Sequence, residues 1–190
     1  MSTNKLTDIV NASVELFMKK GYHATSMQDI ADAVGLQKGS LYHYISSKED
    51  LLVMIIQEAL DQYIGRLAEI AASDLPPREK FAQAVRHHLM GIATNLGHLT
   101  IFLREAYALT PEQQAIVKRE TERYNRLVER IYQEGVEQGV FRPLDPPLVI
   151  RTVLGACNWF YRWYRPGGRM SLEEMADFFV DVLFNGIVVR

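Results

Sequence analysis

The 190-residue chain is poor in cysteine, in net charge and in long apolar runs. Its one cysteine, Cys157, excludes an internal disulfide framework and fits a reducing cytoplasm. No apolar run reaches the roughly 18 residues that a membrane-spanning helix needs, and the polar N-terminus lacks the apolar core of a signal peptide. Hydrophobic residues make up 48% of the chain and the formal net charge is −2. This composition indicates a cytoplasmic globular protein of one domain or two small ones, with no membrane partner.

Motifs of catalysis and metal binding are also missing. The chain contains no H-E-x-x-H, no G-x-S-x-G, no C-x-x-C and no phosphate-binding glycine loop. His87 and His88 are adjacent, so on a helix they would point about 100° apart and could not easily share a metal. Cys157 lies between apolar neighbours, where a small buried thiol is expected. We therefore predict no enzyme activity, no metal and no cofactor.

The chain is predicted to be all-α, because no segment alternates like a strand and turn signals separate helix-length segments. Ser26 with Asp29, or Thr25 with Gln28, would form a capping box before the second helix. Nine helices are expected, at roughly residues 6–20, 27–34, 38–44, 47–72, 77–95, 98–109, 111–138, 146–164 and 172–187. We divide the chain into an N-terminal three-helix domain, residues 1–48, and a C-terminal helical bundle, residues 49–190.

Residues 25–50, TSMQDIADAVGLQKGSLYHYISSKED, have the pattern of a helix-turn-helix unit. Apolar residues at helical spacing from Met27 to Val34 predict one helix, and Gly35 fits a turn that needs positive φ. A short polar helix from Lys38 to Tyr44 would follow. A helix, a glycine turn and a short polar helix form the arrangement that places a recognition helix in the DNA major groove.

Several polar residues of this unit are candidates for DNA contact. Gln37 can pair with adenine and Lys38 with guanine or phosphate, whereas Thr25 and Lys48 fit phosphate contacts. The predicted contacts are Thr25, Ser26, Gln37, Lys38, Gly39, Ser40, Tyr42, His43 and Lys48. In the alternative interpretation the two lysines are solvated and the tyrosines pack; we expect Tyr44 to be buried with Leu41, and Tyr42 to contact DNA. The first 50 residues are not basic overall, so specific binding would need two copies acting together.

The same segment resembles a known family. Thr25-Ser26-Met27, Ile30-Ala31, Gly35, Gly39, Leu41-Tyr42 and Lys48-Glu49-x-Leu51 are similar to the N-terminal signature of the TetR family of bacterial transcriptional repressors, over about 45 residues. Gln37 stands where that family often has a small hydroxyl residue, and Ile45 where an aromatic residue is usual. The resemblance implies a homodimer on a double-stranded, pseudo-palindromic operator, released when a small-molecule effector binds the C-terminal domain.

Helix 146–164 is apolar or aromatic on nearly every face, so it must be covered on all sides. One face would meet the core of its own chain, and another would meet a second copy. A four-helix interface, with the last two helices of each copy, would bury both, and the resemblance implies the same arrangement. The predicted interface residues are Leu154, Phe160, Met175, Phe178, Phe179 and Val182.

Aromatic residues and interleaved arginines in the C-terminal part are candidates for effector binding. Guanidinium groups bind phosphate and aromatic rings stack on flat groups. The predicted residues are Phe102, Tyr107, Tyr124, Trp159, Arg162, Trp163, Arg165 and Arg169. Residues 158–169 are similar to regulators of fatty-acid or steroid catabolism in the family, which implies an acyl-CoA effector. Three alternatives remain: a multidrug-type pocket for apolar compounds, core aromatics with arginines that cap a helix and pair with Glu173 or Glu174, and a helical carrier without DNA binding.

Overall fold

The structure is a computed structural model that describes residues 2–94 and 96–185. Within these ranges it contains nine α-helices, one short 3-10 helix and no strand, which confirms the all-α prediction. The helices are α1 Ser2–Lys20, α2 Met27–Ala33, α3 Lys38–Leu41, α4 Lys48–Ala72, α5 Pro77–Thr94, α6 Leu96–Glu105, the 3-10 helix Ala106–Ala108, α7 Pro111–Glu137, α8 Pro146–Trp163 and α9 Leu172–Asn185. The predicted end of the last helix at residue 187 lies outside the described residues.

The helix starts follow local sequence signals. Ser26 and Asp29 form the capping box of α2, so the Ser26 alternative is the one adopted. Asp145 accepts a hydrogen bond from the Leu148 N–H and Pro146 occupies the first position of α8. At the start of α9 the Glu174 N–H donates to the Ser171 hydroxyl at 3.2 Å, and the Ser171 N–H donates to the Glu174 carboxylate at 2.7 Å. These caps explain why helix starts could be predicted closely from the sequence.

The described residues divide into two compact units. The first contains the chain up to Leu60 together with Gly97–Glu120, and the second contains Asp61–Leu96 together with the chain from Thr121 onward. Helices α4, α6 and α7 each contribute residues to both units. The predicted boundary between residues 48 and 49 divides the chain by function and stays a prediction. In the described part of the chain, no helix is long and apolar enough to cross a membrane.

The core of the second unit lies where α5 packs against α8 and α9. An aromatic cluster closes one end of this core: the rings of Tyr132 and Phe141 stack with centroids 5.7 Å apart. Gly135 lies against Phe141, and a Cβ at this position would overlap the Phe141 ring. The buried ammonium of Lys80 is paired with Glu134 at 2.9 Å. No local pattern indicates this ion pair in the sequence, because its partners are 54 positions apart.

Candidate nucleic-acid interface and effector region

The helix-turn-helix unit is anchored by a few small or apolar residues. Ile30, Ala31 and Leu41 are fully buried. Gly35 adopts a φ of +68°, and the N–H of Leu36 donates to the Ala31 carbonyl at 2.9 Å. An L-residue with a side chain is strained at that φ, so glycine permits the turn between α2 and α3. The unit therefore presents a short helix on a well-packed base.

One side of this short helix is exposed. Gln37, Lys38, Gly39, Tyr42 and His43 are exposed and Ser40 is half-buried, so six of the nine predicted DNA-contact residues form one accessible segment. A Cβ built at Gly39 would meet no atom of the described residues within 4 Å, and the φ of Gly39 is not positive. Neither packing nor backbone conformation requires glycine at position 39. A close approach by an external partner would give a reason for it.

The other three predicted contact residues hold the unit together. Thr25 is only 1% exposed and its hydroxyl donates to the Gly21 carbonyl at 2.8 Å, so its predicted phosphate contact is corrected to a structural role. The Lys48 ammonium donates to the carbonyls of Tyr22 and Thr25, both at 3.0 Å, and lies 4.5 Å from the Tyr22 ring centroid. Lys48 thereby ties the loop before α2 to the first turn of α4.

Ser26 is exposed, but its hydroxyl is engaged in the cap of α2. The hydroxyl donates to the Asp29 carboxylate at 2.8 Å and accepts from the Asp29 N–H at 3.1 Å. The Lys20 ammonium lies 2.7 Å from the same carboxylate. The hydrogen bond from Lys20, followed by those from Ser26, holds the pKa of Asp29 well below its usual range. This network fixes the start of α2 at neutral pH.

The expectation that Tyr44 is buried is wrong. Tyr44 is 41% exposed, and Ile45 occupies the inward position at 3% exposure. The reason is that α3 ends at Leu41, three residues before the predicted end, and a turn follows. The turn carries Ile45 into the core and leaves Tyr44 at the surface. Tyr44 therefore joins Tyr42 as an accessible aromatic residue beside the recognition segment.

The predicted effector residues fall into both units. Phe102 and Tyr107 belong to the first unit, and the other six belong to the second. Trp159 is 60% and Trp163 is 48% exposed, and the Arg162 guanidinium lies 5.1 Å from the Trp159 ring centroid. Arg165 donates to the Tyr164 carbonyl at 2.8 Å, at the C-terminal end of α8. This contact favours the helix-capping alternative for Arg165. Arg162, Arg165 and Arg169 are all exposed.

The predicted interface residues lie on α8 and α9. Phe178 is 58% exposed, while Leu154, Met175, Phe179 and Val182 are half-buried. Phe160 requires a correction, because it has 0% exposure within the single chain and packs edge-on against Phe179 with ring centroids 5.9 Å apart. It supports the two helices from inside and has no surface to offer a second copy.

A buried chain of hydrogen bonds runs through the second unit. His88 Nδ1 lies 2.7 Å from the Tyr124 hydroxyl, and His88 Nε2 lies 2.9 Å from Asn158 Oδ1. Burial is the main cause that lowers the pKa of His88 to about 4, so the ring is neutral at pH 7. Burial also raises the pKa of Tyr124 well above its usual value, which keeps the phenol protonated. Sequence reasoning missed this network, since it considered His88 only as a metal ligand.

One cavity adjoins this network through Asn158, and a second is lined by Tyr63, whose ring centroid lies 5.7 Å from that of His88. A cavity of about 490 Å³ lies between α7 and α8, and Asn158 is one of its lining residues, together with Asn125, Arg126, Ile150, Arg151 and Leu154. A second cavity of about 500 Å³ lies between α4 and α5 and is lined by Tyr63, His87 and Met90 among others. Both volumes are in the range of small-molecule pockets. Among the residues that the structure describes, no group of three or more His, Cys, Asp or Glu side chains could hold a metal ion.

Comparison with known proteins connects both units with one family. Residues 9–55 match the model described as bacterial regulatory proteins, tetR family, and residues 74–187 match the tetracyclin repressor-like C-terminal domain. The chain is 32% identical to the HTH-type transcriptional repressor KstR2 of Mycolicibacterium smegmatis over 183 residues, covering 95% of this chain and 89% of the relative.

Solved structures show the same similarity. The TetR family transcriptional regulator PfmR from Thermus thermophilus is 34% identical with a TM-score of 0.89, covering 95% of this chain and 99% of that one. AibR, solved in complex with isovaleryl coenzyme A and operator DNA, is 30% identical with a TM-score of 0.86, covering 95% and 98%.

Proposed function

The chain belongs to the TetR family of bacterial regulatory proteins, and we propose that it represses transcription as a homodimer that a small-molecule effector releases from a pseudo-palindromic operator. It is a transcription regulator and not an enzyme. The observation that carries the proposal is the exposed segment Gln37–His43, held on the buried Leu41 and Ile45. Its site of action is the bacterial cytoplasm, where the operator DNA is.

The recognition segment would read the operator from the major groove. Two copies in a dimer would place their α3 helices about 34 Å apart, one turn of DNA. Gln37 supplies an amide that pairs with adenine, and Lys38 supplies an ammonium for guanine or phosphate. Gly39 lets the backbone approach the DNA closely, and Tyr42 and His43 reach adjacent bases or phosphates. Thr25 and Lys48 position the segment from inside and do not contact DNA through their side chains.

The dimer surface is proposed to lie on α8 and α9. Leu148, Trp159, Trp163 and Phe178 are all large, apolar and at least 48% exposed in the single chain. Leu148, Trp159 and Trp163 recur at helical spacing, so they share one face of α8. Monomeric proteins rarely leave such a surface uncovered. We assign the two tryptophans to this surface, rather than to the effector site in which they were predicted.

The effector is proposed to be an acyl-CoA bound in the second unit. AibR, which is similar over 95% of this chain, was solved with isovaleryl coenzyme A and operator DNA together. The cavity between α7 and α8 has an apolar side at Ile150 and Leu154 for an acyl chain and arginines at positions 126 and 151 for anionic groups. Release requires only that the effector bind the DNA-incompetent shape more tightly than the DNA-bound one. DNA then weakens effector binding by the same factor.

The test starts with selection of operator sequences from random duplex DNA by the purified protein, followed by binding titrations with and without acyl-CoAs. We expect enrichment of a pseudo-palindrome and its release by an acyl-CoA. Gln37→Ala should relax the sequence preference, while Gln133→Ala, at an exposed position of α7, should leave it unchanged. Failure to enrich any sequence would refute DNA recognition. Release by bare apolar compounds, without any effect of acyl-CoAs, would support the multidrug-type alternative.

A further inference from the structure

The hydrogen-bond network of His88 has only one arrangement in which every buried hydrogen is used. Among the described residues, the Tyr124 hydroxyl has His88 as its only hydrogen-bond partner. If this hydroxyl accepted from Nδ1–H, its own hydrogen would be buried without an acceptor, which is costly. The hydroxyl therefore donates to Nδ1. Because His88 is neutral, its single ring proton is then on Nε2, and Nε2–H donates to Asn158 Oδ1.

This arrangement fixes the orientation of the Asn158 side chain. Its oxygen accepts from His88, so the amide cannot rotate by 180° without placing NH₂ against the Nε2–H donor. The remaining end of the amide, Nδ2, carries two hydrogens, and no hydrogen-bond acceptor for them lies among the residues that the structure describes. Asn158 is half-buried and lines the cavity between α7 and α8. The hydrogen bond from His88 therefore fixes Asn158 Nδ2 as a hydrogen-bond donor at the wall of this cavity.

We propose that Asn158 Nδ2 donates a hydrogen bond to the acyl carbonyl oxygen of the effector, and that His88 and Tyr124 are positioning residues for this donor. This inference rests on the proposed acyl-CoA effector and specifies how its thioester is recognised. A carbonyl oxygen fits because it accepts without donating. Ile150 and Leu154 on the same cavity wall provide apolar surface for the carbon chain that follows the carbonyl.

The discriminating probe is a pair of ligands that differ only at the carbonyl. Isovaleryl-CoA carries the thioester, and S-isopentyl-CoA has a methylene in its place; their affinities for the full-length protein can be compared by calorimetry. We expect the thioester to bind about tenfold more tightly, the value of one good hydrogen bond. Equal binding of the two compounds would overturn this inference and leave the acyl-CoA proposal standing. If the protein binds neither of these two compounds, and none of the pairs with longer acyl chains, both this inference and the acyl-CoA proposal are overturned.

Single substitutions distinguish the role of the donor, Asn158, from that of the positioning residues His88 and Tyr124. Asn158→Asp keeps the shape and the acceptor for His88 but removes the donor, so the tenfold preference should disappear while thioether binding changes little. Asn125→Asp, in the same cavity but outside the network, is the matched control and should keep the preference.

Tyr124→Phe tests the positioning role. Without the Tyr124 hydroxyl, Nδ1 can carry the ring proton, Nε2 becomes an acceptor, and the Asn158 amide is free to reverse. The thioester preference should therefore fall in Tyr124→Phe although Tyr124 is buried behind His88. Tyr161→Phe, at a half-buried position of α8, should retain it. A preference unchanged in Tyr124→Phe would overturn the positioning role, and one unchanged in Asn158→Asp would overturn the donor.

Discussion

His88 should make the stability of the second unit depend on pH. The pKa of a histidine is about 6.5 in an unfolded chain, and in the folded protein that of His88 is about 4. Between these values the unfolded state binds one more proton than the folded state, so stability falls as the pH is lowered through this window. The free energy of unfolding falls by about 1.4 kcal/mol for each pH unit, and by about 3 kcal/mol over the whole window. Above pH 6.5 the contribution of His88 to the free energy of unfolding does not change with pH.

The assay is urea unfolding at a fixed protein concentration from pH 7.5 to pH 4.5, followed by tryptophan fluorescence. Both tryptophans, Trp159 and Trp163, are in the second unit, so the signal reports the unit that contains His88. His88→Gln cannot titrate and should lose most of the slope below pH 6.5. Burial also lowers the pKa of His87 and His98, but both contribute to wild type and variant alike. Equal slopes in wild type and His88→Gln would refute the reasoning.

Three further outcomes follow from contacts described above. Lys38→Ala should reduce the salt dependence of operator binding by about one unit of slope, whereas Lys48→Ala should weaken binding without changing the slope, because the Lys48 ammonium is bound to carbonyls of the chain. Glu134→Gln should lower the free energy of unfolding by about 2 kcal/mol in urea titrations, because it leaves a buried ammonium without its counter-ion. Gly135→Ala should lower the thermal midpoint and cost about 2 kcal/mol, because its Cβ would overlap an aromatic ring.

Each of these outcomes has a control and a contradicting result. Equal flattening of the salt dependence by both lysine variants would show that Lys48 contacts phosphate. Glu137→Gln, at an exposed position of α7, should leave the free energy of unfolding unchanged. An equal loss of stability in this variant would show that the effect at Glu134 does not come from its ion pair with Lys80. Gly65→Ala, where a Cβ meets no atom within 4 Å in the described part of the chain, should be neutral or stabilising. If Gly135→Ala leaves stability unchanged, the aromatic rings move to accommodate the added Cβ at little energetic cost.

Local signals made most of the fold predictable. Caps such as Ser26 with Asp29 and Ser171 with Glu174 act over three residues, so helix starts can be read from short stretches of sequence. The end of α3 could not be placed in this way, because the apolar spacing of Leu41 and Tyr44 fits a continuing helix. A turn after Leu41 brings Ile45 into the core instead. Where two apolar residues compete for one inward position, tertiary packing decides between them.

Contacts between distant positions explain what the sequence could not reveal about the site. Lys48 is 23 positions from Thr25, and a lysine that binds backbone carbonyls looks in sequence like a lysine that binds phosphate. His88 and Asn158 are 70 positions apart, so neither residue suggests the other. The recognition segment could be predicted because it is one short stretch in which spacing alone distinguishes Leu41 from its exposed neighbours. The effector region is assembled from several helices and has no such local pattern.

The separation between exposed and buried residues in the recognition segment has an evolutionary consequence. Leu41 and Ile45 hold the segment in place, while Gln37, Lys38 and Tyr42 contribute little to the core. Substitution of an exposed residue usually changes stability by no more than about 0.5 kcal/mol. Duplicated copies of the gene could therefore drift toward new operators at these positions while the protein continues to fold. Regulators of many different genes can diverge from one such scaffold with few mutations.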